Sequence, residues 1–179
     1  MSSENKPPVN PNKTYPLLEF YRISQRTYSA AIKKQGFTTA LALEEITIPA
    51  RKTKFSAGYD FITPVHITLK PGELKMIPTG IKCKIDAQGK YLALHLRSSI
   101  GVNYSLILIN QVGIIDADYY DNPDNEGHIM LPIMNIGLNE VNIPIGTRIA
   151  QGIFTDYYIT DNDTTEEVRK GGFGSTGKR

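Results

Sequence analysis

The sequence predicts an all-β fold, a barrel or double sheet, with a short helical extension in front and a flexible glycine-rich arm behind. Three observations carry that prediction. Beyond Gly36, apolar residues recur at every second position in several short runs, the period of half-buried strands. Turn-forming groups such as Pro71-Gly72 and Asp86-Ala87-Gln88-Gly89 separate those runs. Both ends change character, which divides the chain into an extension over residues 1–39, a β domain over 40–160, and a linker with a C-terminal arm over 161–179. Many strands this short close into a barrel or pack as two sheets.

Residues 1–13 are polar and dotted with Pro7, Pro8 and Pro11, a flexible lead-in. Leu17, Leu18, Tyr21, Tyr28, Ala30, Ala31 and Ile32 then approximate a helical stripe. Pro16 suits a first turn, Lys33 and Lys34 a last turn and Gly36 a stop, so a helix is expected over 16–34. Val65, Ile67 and Leu69 alternate with His66 and Thr68; Ile81, Cys83 and Ile85 alternate with Lys82 and Lys84; Leu92, Leu94 and Leu96 alternate with Ala93 and His95. Further strands are expected over 104–109, 127–136 and 148–159. A polar linker from Asp161 to Glu167 leads into a basic, glycine-rich end with one aromatic, Phe173. Such a segment cannot pack a core of its own; it reads either as a disordered end or as an arm that covers something else.

Charge and cysteine content exclude several function classes. With 20 Lys+Arg against 18 Asp+Glu the net charge is only +2, which argues against a generic polyanion binder and against direct contact with nucleic acid. Any anion site must be built locally. The single Cys83 can form neither an internal disulfide nor a cysteine zinc cluster, and His66, His95 and His128 lie far apart. These four read as an inert buried thiol and ordinary strand residues. No apolar run approaches the ~18 residues of a membrane helix. The start lacks the apolar segment of a signal peptide, so the expectation is a soluble, cytoplasmic protein of a reducing compartment.

Three constellations can carry chemistry. Arg97-Ser98-Ser99-Ile100-Gly101 follows an alternating strand and offers a guanidinium and two hydroxyls to an oxyanion, or is simply a strand end. Asn110-Gln111-Val112-Gly113-Ile114-Ile115-Asp116-Ala117-Asp118-Tyr119 reads as a hairpin whose acids face solvent, or as a carboxylate at the mouth of a pocket. A carboxylate with an ordinary pKa of ~3.9 is ionised at neutral pH and can accept a proton from water. In the arm, glycines let backbone N–H groups converge on an anion, with Arg169, Ser175, Thr176 and Lys178 adding donors and charge. Gly172-x-x-x-x-Gly177-Lys178 nearly matches a phosphate-binding P-loop, but Arg179 stands where Ser or Thr is required and no helix follows it here, so that reading fails.

Five segments in order, Ala57-Gly58-Tyr59-Asp60-Phe61, Arg97-Ser98-Ser99-Ile100-Gly101, Gly113-Ile114-Ile115-Asp116-Ala117-Asp118-Tyr119, Arg148-Ile149-Ala150-Gln151 and Gly171-Gly172-Phe173-Gly174-Ser175-Thr176-Gly177, resemble the trimeric dUTPase family over residues ~40–179. The resemblance implies a jelly-roll-like (β-clip) barrel and a homotrimer with active sites shared between subunits. It implies hydrolysis of dUTP to dUMP and pyrophosphate with Mg²⁺ on the triphosphate, which keeps uracil out of DNA and supplies dUMP for dTMP synthesis. Asp116 would then activate water for attack on the α-phosphorus. Asn110 and the backbone of Gly113, Ile114 and Ile115 would read the uracil edge, and Tyr119 would pack on the deoxyribose. Arg97, Ser98, Ser99, Gly101, Arg148 and Gln151 would hold phosphates, with Arg169, Gly174, Ser175 and Thr176 joining from the arm while Phe173 stacks on the base. Asp60 would reach Mg²⁺ through water.

The chain departs from the family pattern in three places. Tyr120 to Gly127 is longer than usual and is expected to be a surface insertion, harmless to Asp116 but able to alter an interface. One residue rather than two separates Arg169 from Gly171, which makes Lys170 a substitute phosphate ligand. The N-terminal segment has no counterpart in the pattern. A dCTP deaminase shares several of these segments but needs a catalytic Glu where this chain has Pro132. The alternative from another class is a regulatory protein that uses the same fold to bind a protein partner.

Overall fold

The computed structural model describes residues 17–167, 169, 171 and 172. Eleven strands and two α-helices make up the regular structure of these residues. In chain order they are β1 (Leu17–Arg22), α1 (Gln25–Lys34), β2 (Tyr59–Ile62), β3 (Ile67–Leu69), β4 (Leu74–Pro78), β5 (Ile81–Asp86), β6 (Lys90–Leu96), α2 (Ser98–Tyr104), β7 (Leu106–Leu108), β8 (Gly113–Ile115), β9 (Met130–Asn135), β10 (Val141–Ile143) and β11 (Arg148–Asp156). The fold is all-β, as the alternation predicted. Among the described residues no helix is long and apolar enough to cross a membrane.

The strands form a four-stranded sheet in the order β2-β11-β6-β8, a three-stranded sheet β4-β9-β7, and the pairs β1-β5 and β3-β10, each pairing antiparallel. Their inward residues meet in one core that includes Phe61, Ile67, Ile77, Leu92, Leu131 and Ile149. β5 keeps strict alternation, with Ile81, Cys83 and Ile85 buried. β6 does not. Leu92, Ala93 and Leu94 are buried in succession, because both faces of this central strand are covered. Burial also pushes the Cys83 thiol up to about 12, so it is inert at neutral pH.

The helix expected over 16–34 is corrected by the structure: the described part of that stretch is a strand followed by a helix. Leu17 to Arg22 pairs residue by residue with Asp86 to Ile81. Leu18 and Phe20 are half-buried while Leu17 and Tyr21 are exposed, so an alternating strand is disguised by apolar residues on its outer face. Phe20 lies between Tyr59, Phe61 and Phe154, with ring centroids 5.4–5.7 Å away. Tertiary packing of this kind overrides a weak helical period. α1 begins only at its N-cap, where Ser24 accepts a hydrogen bond from the Thr27 N–H. Lys33 and Lys34 fill its last turn, where cations complement the helix dipole. Its buried Tyr28, whose hydroxyl donates to the Leu41 carbonyl, contributes about 1.5–3 kcal/mol through the area it removes from water.

Residues 120–127 form the joint between this N-terminal segment and the sheets. The Glu126 carboxylate accepts from the Ser24 N–H at 2.9 Å and from the Ser24 and Thr27 hydroxyls, which hold its pKa down at about 2. Lys82 on β5 pairs with Asp121. Gly127 has φ +77°, and a Cβ there would lie 2.6 Å from the Tyr119 carbonyl oxygen, so only glycine closes the loop. Next to it, His128 is 1% exposed and its Nε2 accepts the Gly80 N–H at 2.9 Å, which requires a neutral ring protonated on Nδ1.

That ring makes the fold acid-sensitive. His128 titrates near 6.5 when unfolded, but burial lowers it to about 4 in the folded chain, against an opposing pull from Glu126. The unfolded chain therefore takes up the proton first, and stability is full above pH 6.5 and lost as pH falls toward 4. At about 1.4 kcal/mol per pH unit, urea melts at pH 7.5 and pH 5 are expected to differ by about 2 kcal/mol from this residue. His128→Gln is expected to be less stable at pH 7.5 and to lose most of that dependence.

Candidate active site

The sequence-predicted site residues fall into two groups at opposite ends of β6. The first gathers around Asp60 on β2. Its Oδ1 lies 3.2 Å from Arg97 Nε and its Oδ2 2.8 Å from Arg148 Nη1, with the carboxylate only 11% exposed. Arg148 reaches Asp60 because β11 carries a bulge. Gln151 stands opposite Asp60 and Ala150 opposite Phe61, but Arg148, not Ile149, stands opposite Ile62. The extra residue moves Arg148 onto the face of Asp60, which regular alternation would have denied it. A cleft of about 150 Å³ beside this pair is lined by Thr47, Ile48, Ala50 and Lys52. Larger clefts of about 430 and 420 Å³ flank α1 instead.

Arg97 ends β6 and caps α2, its N–H donating to the Ile149 carbonyl at 3.0 Å. Ser98 and Ser99 open the first turn of α2 and are exposed, so the segment expected at a strand end continues as a helix. Gly101 lies inside that helix with room for a Cβ, 3.7 Å from the Leu106 carbonyl oxygen. The Gln151 side chain lies across Gly58, where a Cβ would meet its Oε1 at 2.3 Å. Glycine at 58 is what leaves the Gln151 amide its place.

The second group sits on the turn between β7 and β8 and on the 3₁₀ turn Ala117–Tyr119; the hairpin expected here is not formed, because β7 pairs with β9 and β8 with β6, in different sheets. The turn between them is tight: Gln111 takes φ +60°, its N–H bonds to the Leu108 carbonyl at 2.8 Å, and the Val112 N–H bonds to the Asn110 carbonyl at 2.6 Å. Gly113 pairs with Leu94, whose Cβ is 3.1 Å from where a Cβ of residue 113 would stand, so the strands close against each other. Ile115 is buried and Ile114 is half exposed. Asp116 caps the 3₁₀ turn with its carbonyl accepting the Tyr119 N–H at 3.1 Å.

Arg169 joins this second group. Its Nη2 lies 2.7 Å from Asp116 Oδ2, its Nε 2.8 Å from Asp118 Oδ1, and its guanidinium stands 5.7 Å from the centre of the Tyr119 ring. Both carboxylates are about half exposed, so each contact is worth only about 1 kcal/mol or less. Tyr119 is 6% exposed, and burial raises its hydroxyl pKa above the ordinary value. That hydroxyl donates to the His128 carbonyl at 3.1 Å and accepts from Asn125 Nδ2 at 2.8 Å. Phe173, Gly174, Ser175 and Thr176, with the substitute ligand Lys170, lie outside the described residues. Pro132 is buried in β9 opposite Met76.

Asp118 and the 120–127 loop were not singled out from the sequence as site residues. The signal available was the run Asp121-Asn122-Pro123-Asp124-Asn125, whose short polar side chains bond to nearby backbone. Here Asn122 Oδ1 accepts from the Asp124 and Asn125 N–H groups, and its Nδ2 donates to the Tyr119 carbonyl.

Residues 44–177 match the dUTPase family model. The chain belongs to the dUTPase family. It is 47% identical over 150 residues to the deoxyuridine 5'-triphosphate nucleotidohydrolase of Lactococcus lactis subsp. lactis, a match covering 82% of this chain and 99% of that protein. Among solved structures it resembles the dUTPase from Streptococcus mutans, with a TM-score of 0.63 and 32% identity over 80% of this chain and 98% of that one. It also resembles a mutant dUTPase from phage phi11 of S. aureus, which coordinates a structural Mg(II) ion. That match has a TM-score of 0.61 and 19% identity, covers 84% of this chain and 97% of the other, and bears on the fold alone.

The packing of this dUTPase chain around Gly58 makes a direct test. Gly58→Ala is expected to fold, to lose about 1–3 kcal/mol through overpacking, and to displace the Gln151 amide. A crystal structure of the variant with Gln151 in its original place would overturn this account.

Proposed function

We propose that the protein hydrolyses dUTP to dUMP and pyrophosphate in a homotrimer whose active sites are shared between subunits. The observation that carries the shared site is a separation. β8 pairs with the first half of β6, Ile115 opposite Leu92 and Gly113 opposite Leu94, so Asp116 lies level with Tyr91 while Arg97 follows the other end of the strand. Six residues of extended chain separate those levels, about 20 Å at the rise of a strand. A nucleophile must stand roughly 3–3.5 Å from the phosphorus it attacks, and the clamp must hold that same triphosphate. A separation of that size favours two chains facing each other, one supplying the base and the other the clamp.

In this reading Asn110 and the Gly113–Ile115 backbone bind the uracil edge, and the Tyr119 ring packs on the deoxyribose and excludes a 2′-hydroxyl. Arg97, Arg148, Gln151 and the hydroxyls of Ser98 and Ser99, supplied by another subunit, hold the phosphates. With Arg169 on Oδ2, Asp116 keeps Oδ1 for a water molecule. The carboxylate takes a proton from that water, the water oxygen bonds to the α-phosphorus, and the bond to the bridging oxygen breaks to release pyrophosphate. The triphosphate competes with Asp116 and Asp118 for Arg169, which draws the arm over the substrate, with Phe173 closing on the base and Gly174, Ser175 and Thr176 on the phosphates.

The residues around Asp60 fit Mg²⁺ held through water. Asp60 Oδ2 accepts from Arg148 and Oδ1 is ion-paired with Arg97 at 3.2 Å, so the carboxylate keeps lone pairs for metal-bound water. When bound on the triphosphate, Mg²⁺ supplies charge neutralisation of the phosphate oxygens.

With Mg²⁺ and dUTP, the purified protein is expected to yield dUMP and pyrophosphate and to act poorly on dTTP and UTP. Asp116→Asn is expected to lower turnover by about 10²–10⁴-fold. Light scattering should give three times the 19.9 kDa chain mass. Co-assembly of Asp116→Asn chains with Arg97→Ala chains should restore activity that neither variant has alone, because some sites then receive an intact residue from each. Absence of restoration would place the whole site in one chain.

A further inference from the structure

We propose that Asn125 and Asp124, in the loop 120–127, are positioning residues for the site: Asn125 fixes the ring that reads the sugar, and Asp124 seats the arm beside it. This rests on the role given above to Tyr119. A ring that excludes one extra hydroxyl discriminates only as well as it holds still, since a site that yields by a fraction of an ångström admits the larger sugar. Tyr119 is held at its far end by two hydrogen bonds, one of them from Asn125 Nδ2. Asn125 is itself fixed: its Oδ1 accepts from the Asn122 Nδ2 and the Gly127 N–H, and its carbonyl accepts from the His128 N–H at 2.9 Å. Each polar atom of this side chain has a partner, so the amide has one orientation.

The arm reaches the same place. Asp124 Oδ2 accepts the Gly172 N–H at 2.8 Å. Gly172 lies on the Asn125 amide, with a Cβ there meeting Nδ2 at 3.4 Å. Arg169, three residues earlier, spans Asp116 and Asp118 and covers the Tyr119 ring. The insertion expected to be a surface feature thus touches the sugar-facing tyrosine with one residue and the arm with the residue before it.

The test compares kcat/KM for dUTP and for UTP. Asn125→Ala is expected to lower the dUTP-to-UTP ratio by about tenfold or more, mainly by raising turnover of UTP relative to dUTP. A merely structural role would lower both rates together and leave the ratio alone. Tyr119→Phe removes the same hydrogen bonds from the other side and is expected to lower the ratio by a similar factor. In the Tyr119→Phe background, Asn125→Ala should then change the ratio little, as a double-mutant cycle requires of residues that act through one contact. Asp124→Ala is expected to raise the KM for dUTP several-fold while preserving the ratio. An unchanged ratio in both Asn125→Ala and Tyr119→Phe overturns the proposal, and so do independent effects in the double variant. If Asn125→Ala does not fold, Tyr119→Phe alone decides. Failure of the wild-type protein to hydrolyse dUTP would instead overturn the proposed function, so the two failures are distinct.

Discussion

An extended strand cannot bring its own ends together, and the site hangs on one such strand, β6. Asp116 stands beside its beginning and Arg97 at its end, with Leu92, Ala93 and Leu94 buried on both faces between them. Flanked by β11 and β8, β6 has no free edge on which to fold back. The chain therefore displays two clusters of charged side chains about 20 Å apart, the two parts of the proposed shared site. Neither half explains itself as an active centre. A carboxylate without a phosphate clamp has nothing to hold its target, and a clamp without a base has no means of activating water.

The two halves also differ in charge, which the near-zero total conceals. Asp60 with Arg97 and Arg148 leaves one positive charge over, while Asp116 and Asp118 with Arg169 leave one negative charge over. In each half the minority charge is the organiser. Asp60 holds two guanidinium groups side by side that would otherwise repel, and Arg169 does the same for two carboxylates. The surplus has the sign that each task needs: positive where phosphates would be held, negative where a proton would be accepted. The pairs are partly exposed and individually weak, so an incoming polyanion can rearrange them at little cost.

Much of this was legible in the sequence and some was hidden for physical reasons. Strands such as β5 announced themselves because one face meets the core and the other meets solvent. β1 did not, since Leu17 and Tyr21 on its outer face mask the alternation of Leu18 and Phe20. Asp60, Arg97, Arg148 and Gln151 could each be picked out, Asp60 for metal and the others for phosphates, and the structure places them together. That Arg148 faces Asp60 depends on a bulge, a single unpaired residue that leaves no mark in composition or period. The distance between Asp116 and Arg97 is a matter of strand pairing, which no local pattern encodes. Asn125 was invisible for a different reason: its importance lies in a hydroxyl six residues away that only the turn at Gly127 brings within reach.

The N-terminal stretch and the 120–127 loop depend on each other. A ten-residue helix is marginal on its own, and α1 has no acidic residue in its first turn. Glu126, from the loop, supplies the missing negative charge and accepts the Ser24 N–H. The loop in turn holds Asp121 and Glu126 at φ +54° and +59°, a left-handed conformation that costs about 1–2 kcal/mol at each non-glycine residue. Such strain persists only where surrounding contacts over-determine it. Lys82 fixes Asp121 and α1 fixes Glu126, and Asn125 stands between the two anchored residues. The orientation of its amide, and through it the Tyr119 ring, is thereby set by a helix almost a hundred residues earlier in the chain. A segment without any direct contact to the reacting groups can in this way govern how tightly the sugar is read.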